Sequence, residues 1–241
     1  MKHFVFLSLA STLCASTASA VEITDDLFLE AKAGLYSDYR TRGVSQTQND
    51  PALQGSATLI HSSGWYAGAW SSNVDFGYGI DTRQEIDLYA GYFWQISQDT
   101  SLDLSYIKYL YPRHSGFDYD EYHAELSAYG LFLGGNYADD LGSDQSYLYS
   151  YLGYRSELPG EVGLEARYGR VDYKDPVFFS ASGGERERYR EWQIEVSRAF
   201  IGIDWSLAYI DTSLGKDECA SFNGFDDVCA ATVVVGASKT F

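Results

Sequence analysis

Proline and methionine are scarce in this 241-residue chain, with four and one respectively, and basic residues are scarcer than acidic ones: 17 Lys+Arg against 34 Asp+Glu. The resulting net charge of −17 argues against a nucleic-acid-binding surface, and against adhesion to anionic surfaces without a bridging cation. No apolar run approaches the roughly 18 residues that a membrane helix needs, and helix-forming stretches are hard to find. Histidine is rare, and beyond His3 only His61, His114 and His123 remain. Ser127 shares a strand face with His123, but four residues of strand separate them by roughly 13 Å. That is too far for a nucleophile–base bond along the strand. No nucleophile-elbow or zinc motif appears, so no enzyme is expected, and no cofactor or metal is implied.

Cysteine is limited to Cys14, Cys219 and Cys229. The N-terminus reads as an export signal: basic Met1-Lys2-His3, an apolar run from Phe4 to Ala10, and the small-residue pattern Ala18-Ser19-Ala20. Residues 1–20 are therefore expected to be cleaved, leaving 21–241 as one domain. Cys14 falls inside the signal and follows bulky Leu13, which makes it a poor lipid acceptor. The remaining pair, Cys219 and Cys229, reads as a disulfide in an exported chain. A metal–thiolate site is the sharper alternative, but it lacks a nearby His or third Cys.

What is abundant is aromatic and β-forming: 16% of residues are aromatic, 21 of them tyrosine, with 23 glycines. Alternation is the dominant signal. Leu27, Leu29, Ala31, Ala33 and Leu35 oppose Glu30, Lys32, Gly34, Tyr36 and Asp38. Ile86, Leu88, Ala90, Tyr92 and Trp94 oppose Glu85, Asp87, Tyr89 and Gly91, and the pattern returns at 162–168, 192–200 and 203–209. Tight connections such as Ser62-Ser63-Gly64, Tyr129-Gly130 and Ile201-Gly202 alternate with longer polar ones near 41–51, 77–83, 112–119, 139–146, 173–187 and 212–229. The spacing predicts strands at 26–40, 52–61, 65–76, 84–95, 101–111, 119–129, 131–139, 146–156, 161–172, 188–200, 202–211 and 230–241.

About twelve strands of this length suit an all-β, up-and-down transmembrane barrel, whose strands need ~9–11 residues to cross on a tilt. A soluble sandwich or lipocalin-like barrel also alternates. Against it stand aromatics near strand ends on the apolar face, an acidic opposite face suited to a wet lumen, and a chain that ends in a strand on Phe241. In a closed barrel the last strand pairs with the first. A terminal aromatic on such a strand resembles the signal read by the outer-membrane barrel assembly machinery, which is expected as a partner in biogenesis, with outer-membrane lipid as the final surroundings.

Three stretches carry a family resemblance: "YSDYRTRGVSQTQNDPALQGSATL" (36–59), "GWYAGAWSSNVDFG" (64–77) and "EIDLYAGY" (85–92), continued by "YDEYHAELSAYGLFLGGNYADD" (119–140). Together these resemble the TorF-family porin group, also called the Gcw_chp family of proteobacterial outer-membrane proteins. The resemblance implies an outer-membrane barrel proposed to act as a porin, with no defined substrate.

The polar faces collect Glu30, Lys32, Asp38, Glu85, Asp87, Asp103, Glu121, His123, Glu125, Glu165, Arg167, Glu195 and Asp204 as candidate pore-lining residues. A pore lined this way favours cations and would pass small polar or cationic solutes. The competing reading is a structural plug in which Arg and Lys pair with these acids, leaving a non-conducting barrel that acts as an adhesin-like scaffold through its loops. Twelve strands lie between the filled eight-stranded and the open 16–18-stranded barrels. The stretch Arg40 to Gln46 forms a candidate constriction if the first loop folds inward, with Arg42 and Gln46 set against the acidic wall and Gly43 at the turn. Glu121, His123 and Glu125 alternate on one face, but ~6.6–7 Å spacing is too wide for tight chelation by one strand. Asp217, Glu218, Asp226 and Asp227 around the cysteines match no calcium-loop spacing.

Overall fold

A computed structural model describes residues 20–142 and 144–241. The expected signal segment, with Cys14, lies outside the described residues except for Ala20. Twelve long strands form one closed antiparallel barrel: β1 (Leu27–Tyr36), β2 (Ala52–His61), β3 (Trp65–Asn73), β4 (Gln84–Ser97), β5 (Thr100–Leu110), β6 (Tyr119–Ala128), β7 (Leu131–Ala138), β8 (Tyr147–Leu158), β9 (Val162–Tyr173), β10 (Arg188–Phe200), β11 (Ile203–Thr212) and β12 (Thr232–Thr240). Each strand pairs with its sequence neighbour. The seam closes between β12 and β1, where Gly236 faces Tyr36 and Thr240 faces Lys32. Phe241 continues the seam, donating its backbone N–H to Ala31 at 2.8 Å. A short strand, Val21–Thr24, pairs with Leu27–Leu29 of β1 just beyond it.

The twelve expected strands are present, with shifted ends. The first stops at Tyr36 rather than 40, because Ser37 and Asp38 turn the chain toward the barrel interior. The tight connections gather at one end. Tyr129-Gly130 and Ile201-Gly202 both lie at positive φ, the two-residue primed turn that matches strand twist. The long loops gather at the other end. The loop after β11 holds an element the sequence reading did not anticipate, helix α1 (Lys216–Asn223). Glu218 accepts the Gly215 N–H at 2.8 Å, and Gly224 ends the helix at φ 82°. These are ordinary helix-end devices.

The pleat sorts the side chains. Outward faces carry exposed Leu35, Leu88, Leu133, Leu152, Ile194, Leu207 and Val235. Trp65, Trp94, Phe200, Trp205 and Phe241 are exposed toward the turn end, while Tyr106, Tyr122, Tyr137, Tyr168 and Tyr209 are exposed on the loop side. Two aromatic bands flanking an apolar belt are the girdle pattern of membrane barrels. Apolar outside and polar inside inverts the usual globular arrangement.

Candidate functional site

The loop between β1 and β2 enters the barrel. Residues Arg40–Thr41 and Val44–Ser45 form a miniature hairpin, with Arg42 (φ 50°) and Gly43 (φ 84°) at its tip. This is again a two-residue primed turn. The tip is tightly seated: a Cβ on Gly43 would lie 2.5 Å from Thr212 Cγ2 and 3.2 Å from Glu191 Cβ. The hairpin is anchored from behind. Arg40 donates to Asp38 at 2.6 Å, and to the carbonyls of Gly43 and Ala230 at 2.9 Å each. Ser45 and Thr47 donate to Asp38 Oδ1 at 2.6 and 3.0 Å. Ser45 N–H pairs with the Val228 carbonyl at 2.9 Å, tying the first loop to the last. The Cys219–Cys229 disulfide closes that last loop, with both cysteines buried beside Val44, Val228 and Phe178.

Arg42 points into the lumen and meets Glu121, donating to both carboxylate oxygens at 2.7 and 2.8 Å. Glu121 is fully buried and surrounded by further donors: Asn136 Nδ2 at 2.7 Å, Tyr109 hydroxyl at 3.2 Å, and the Tyr147 hydroxyl. The Arg42 guanidinium also lies over the rings of Tyr147 and Tyr149, at 4.8 and 5.1 Å. A buried pair is tolerable only when such secondary bonds satisfy it. Beside it, Glu85 accepts from the Tyr39 and Tyr111 hydroxyls at 2.8 and 3.1 Å. Glu191 accepts from Tyr149 at 2.5 Å and from Arg167 at 3.2 Å. The loop half of the lumen thus holds its buried carboxylates in clusters of tyrosine and arginine donors.

The turn half is different. Asp103 accepts from Tyr66 at 2.7 Å. Arg155 bridges Glu125 and Glu165 at 2.7 Å each. Glu30, Lys32, Asp103 and Asp204 are only half-buried. Asp204 Oδ1 has no hydrogen-bond partner among the described residues, and neither does Asp87 Oδ1, one same-face step from Glu85 in the loop half.

All thirteen lumen candidates from the sequence lie on the inward side or at the inward-turning loop base, and Asp38, Glu85, Glu121, Glu125, Glu165 and Arg167 make specific bonds there. His123 stands at the edge of the Glu121 cluster, with Nδ1 at 3.3 Å from Asn136 Oδ1. Of the three loop candidates, Arg42 reaches the acidic wall, while Arg40 braces the loop itself. Gln46 differs from expectation, because its side-chain amide donates back to the Val44 carbonyl at 3.0 Å and so turns away from the wall. The acids of the last loop do not converge either. Glu218 holds Arg186, Lys216 pairs with Asp226 at 3.6 Å, and Asp227 accepts from Asn49. Among the described residues no group of three metal-ligating side chains forms.

Sequence reasoning missed Glu191, Arg155 and the inward tyrosines. Glu191 shares a face with Gln193 and Glu195, so simple alternation extended by two residues would have found it. The tyrosines carried their own signal: Tyr147, Tyr149 and Tyr151 share one face of β8, and each inward ring needs a small neighbour. A Cβ on Gly169 would lie 2.5 Å from the Tyr149 ring, and one on Gly91 2.4 Å from Tyr66.

Comparison with known proteins agrees with this architecture. A structure described as "KdgM porin" superposes with a TM-score of 0.51 at 8% identity, covering 88% of this chain and 98% of that one. A "NanC porin" structure gives 0.52 at 11% identity, with the same coverage. At such identity the likeness is one of fold. No curated protein matches the sequence. The family model described as "Bacterial protein of unknown function (Gcw_chp)" matches residues 16–241, and the chain therefore belongs to the Gcw_chp family.

Proposed function

We propose that this protein is an outer-membrane channel for passive diffusion of small polar solutes, with a preference for cations. One observation carries the reading: a closed barrel whose outer face is an apolar belt between aromatic bands, and whose inner face is predominantly acidic. The outer face suits hydrocarbon. The inner face concentrates cations in a low-dielectric passage. The likeness in fold to the KdgM and NanC porins supports the channel reading, and the inward hairpin with Arg42 at its tip suits a constriction. Transport then needs no chemistry: a solute exchanges part of its hydration for lumen carboxylates and hydroxyls, and its rate is set by the narrowest part.

Single-channel recording of the refolded protein in a planar bilayer tests this. Discrete conductance steps with a cation-selective reversal potential are expected, and Glu30→Gln with Asp204→Asn should weaken that selectivity. A folded, inserted barrel without steps would refute it. That outcome would favour a second reading, a non-conducting scaffold, which the saturated bonding around Arg42 and Glu121 supports.

A further inference from the structure

On the outer surface, at the loop end of β9 and β10, lies a cleft of about 260 Å³ lined by Arg170, Arg186, Arg188, Tyr189, Arg190 and Ser213. Four arginines converge here in a chain of net charge −17, and no acidic side chain is among the lining residues. Register explains the convergence. Arg170 faces Arg190 across the β9–β10 pair, and Arg188 faces Asp172 one same-face step higher. Three of the guanidiniums are held from the side. Arg170 donates to Asp172 at 2.6 Å, Arg188 reaches Asp172 at 3.4 Å and also bonds Glu187, and Arg186 forms an ion pair with Glu218 at 2.9 Å. Arg190 is exposed, and its guanidinium has no hydrogen bond or ion pair among the described residues.

Height is the second observation. Along the outward face of β10, Phe200 and Trp192 mark the lower and upper aromatic bands, with Val196 and Ile194 between them and Arg198 the one charged residue, next to Phe200. The bands lie eight residue steps apart, roughly 27 Å of strand, or roughly 20 Å of membrane thickness at a tilt of about 40°. Tyr168 faces Trp192 across the sheet, and Tyr209 faces Ile194, completing the aromatic band. Arg190 stands one same-face step, roughly 7 Å, beyond that band. This is where lipid headgroups begin. Elsewhere near the loop end the exposed outward residues include Leu35, Leu53, Leu148 and Val233, so the basic cleft is confined to one side.

We propose that this cleft binds the phosphate of a phosphorylated glycolipid in the outer leaflet, with Arg190 and Arg170 as the principal donors and Arg188 and Arg186 as the walls. Guanidinium matches phosphate in a bidentate geometry, and the aromatic band below would contact the sugar and upper acyl chains. The inference rests on the outer-membrane reading above.

The test is made in detergent micelles, where binding does not depend on insertion or conductance. Native mass spectrometry would follow binding of bisphosphorylated lipid A, dephosphorylated lipid A and inorganic phosphate. The wild-type protein should retain one bisphosphorylated lipid and lose it when the phosphates are removed. Arg190→Gln breaks no ion pair and should lower the affinity several-fold. Arg170→Gln/Arg188→Gln/Arg190→Gln should lower it by an order of magnitude or more. Equal retention of the dephosphorylated lipid, or unchanged binding by Arg190→Gln, would overturn the proposal. So would inorganic phosphate competing at concentrations comparable to the lipid, which would mark a site for soluble anions. Because conductance is read separately, failure of lipid binding leaves the channel reading intact, and failure of conductance leaves this one intact.

Discussion

The loop half and the turn half of the lumen are built from the same inward alternation, yet they differ in how their carboxylates are held. In the loop half, Glu85, Glu121 and Glu191 are fully buried and bonded by tyrosine hydroxyls, with Arg42 and Arg167 supplying positive charge. In the turn half, Glu30, Asp103 and Asp204 are half-buried, and the only guanidinium bridge there among the described residues is that of Arg155. The strands alone do not produce this difference. The loops that fold back from one end do, since they bring Arg42 and Tyr39 to acids that would otherwise face water. Charge fixed in a network shapes the passage, whereas charge left near water attracts ions.

The contrast between the two halves depends most on Arg42. Arg42→Ala leaves Glu121 buried without its cation, a loss of the kind that costs ~3–5 kcal/mol, and it unseats the hairpin tip. A marked drop in unfolding temperature and a several-fold rise in conductance are expected. Adding Glu121→Gln should recover most of the stability while the conductance stays high, and that non-additivity identifies the pair as the coupling. Next in size is the disulfide. Cys219→Ser with Cys229→Ser releases a loop whose closure is worth ~2–3 kcal/mol. Protease cutting between 213 and 231 should rise, and open-channel noise with it, while barrel melting changes little because the sheet is untouched.

The turn half is tested by selectivity. Glu30→Gln, Asp103→Asn and Asp204→Asn together should reduce the cation preference several-fold while leaving the hairpin and the melting temperature nearly unchanged. The same count of substitutions in the loop half should do the reverse. The smallest effect lies outside the lumen, at the exposed pair Lys174–Asp144. A hydrogen bond from Lys174 holds the Asp144 carboxyl below its usual range. Any stabilisation from it is therefore present above the ordinary carboxylate range and fades as pH falls through the lowered value. Asp144→Asn should leave conductance and melting unchanged, since the pair is fully solvated.

The two halves were not equally readable in the sequence. Strand number, closure and the inward acids follow from a period of two, which one face toward hydrocarbon enforces over the whole chain. Glu30, Asp103 and Asp204 needed nothing more. The loop half depends on contacts between residues far apart in the chain, such as Arg42 with Glu121 and Ser45 with Val228, and no local period encodes these. Arg42-Gly43 did mark a turn, but its direction is set by Asp38, Thr47 and Ala230, which hold the hairpin from behind. Gln46, two residues past Val44 on the same short hairpin, was misplaced for that reason. Helix α1 was readable in hindsight from Gly215, Glu218 and Gly224, which sit at its two ends.

An acidic lumen that conducts cations past an arginine-tipped constriction is the core of the proposed function. The most direct measurement is the reversal potential of single channels across a KCl gradient, for the wild-type protein and for Arg42→Ala. Discrete steps, a potential of the cation-selective sign, and a larger conductance with stronger cation preference once the arginine is gone are expected. An inserted barrel that stays silent in both proteins, or one that selects anions, would contradict the proposed function.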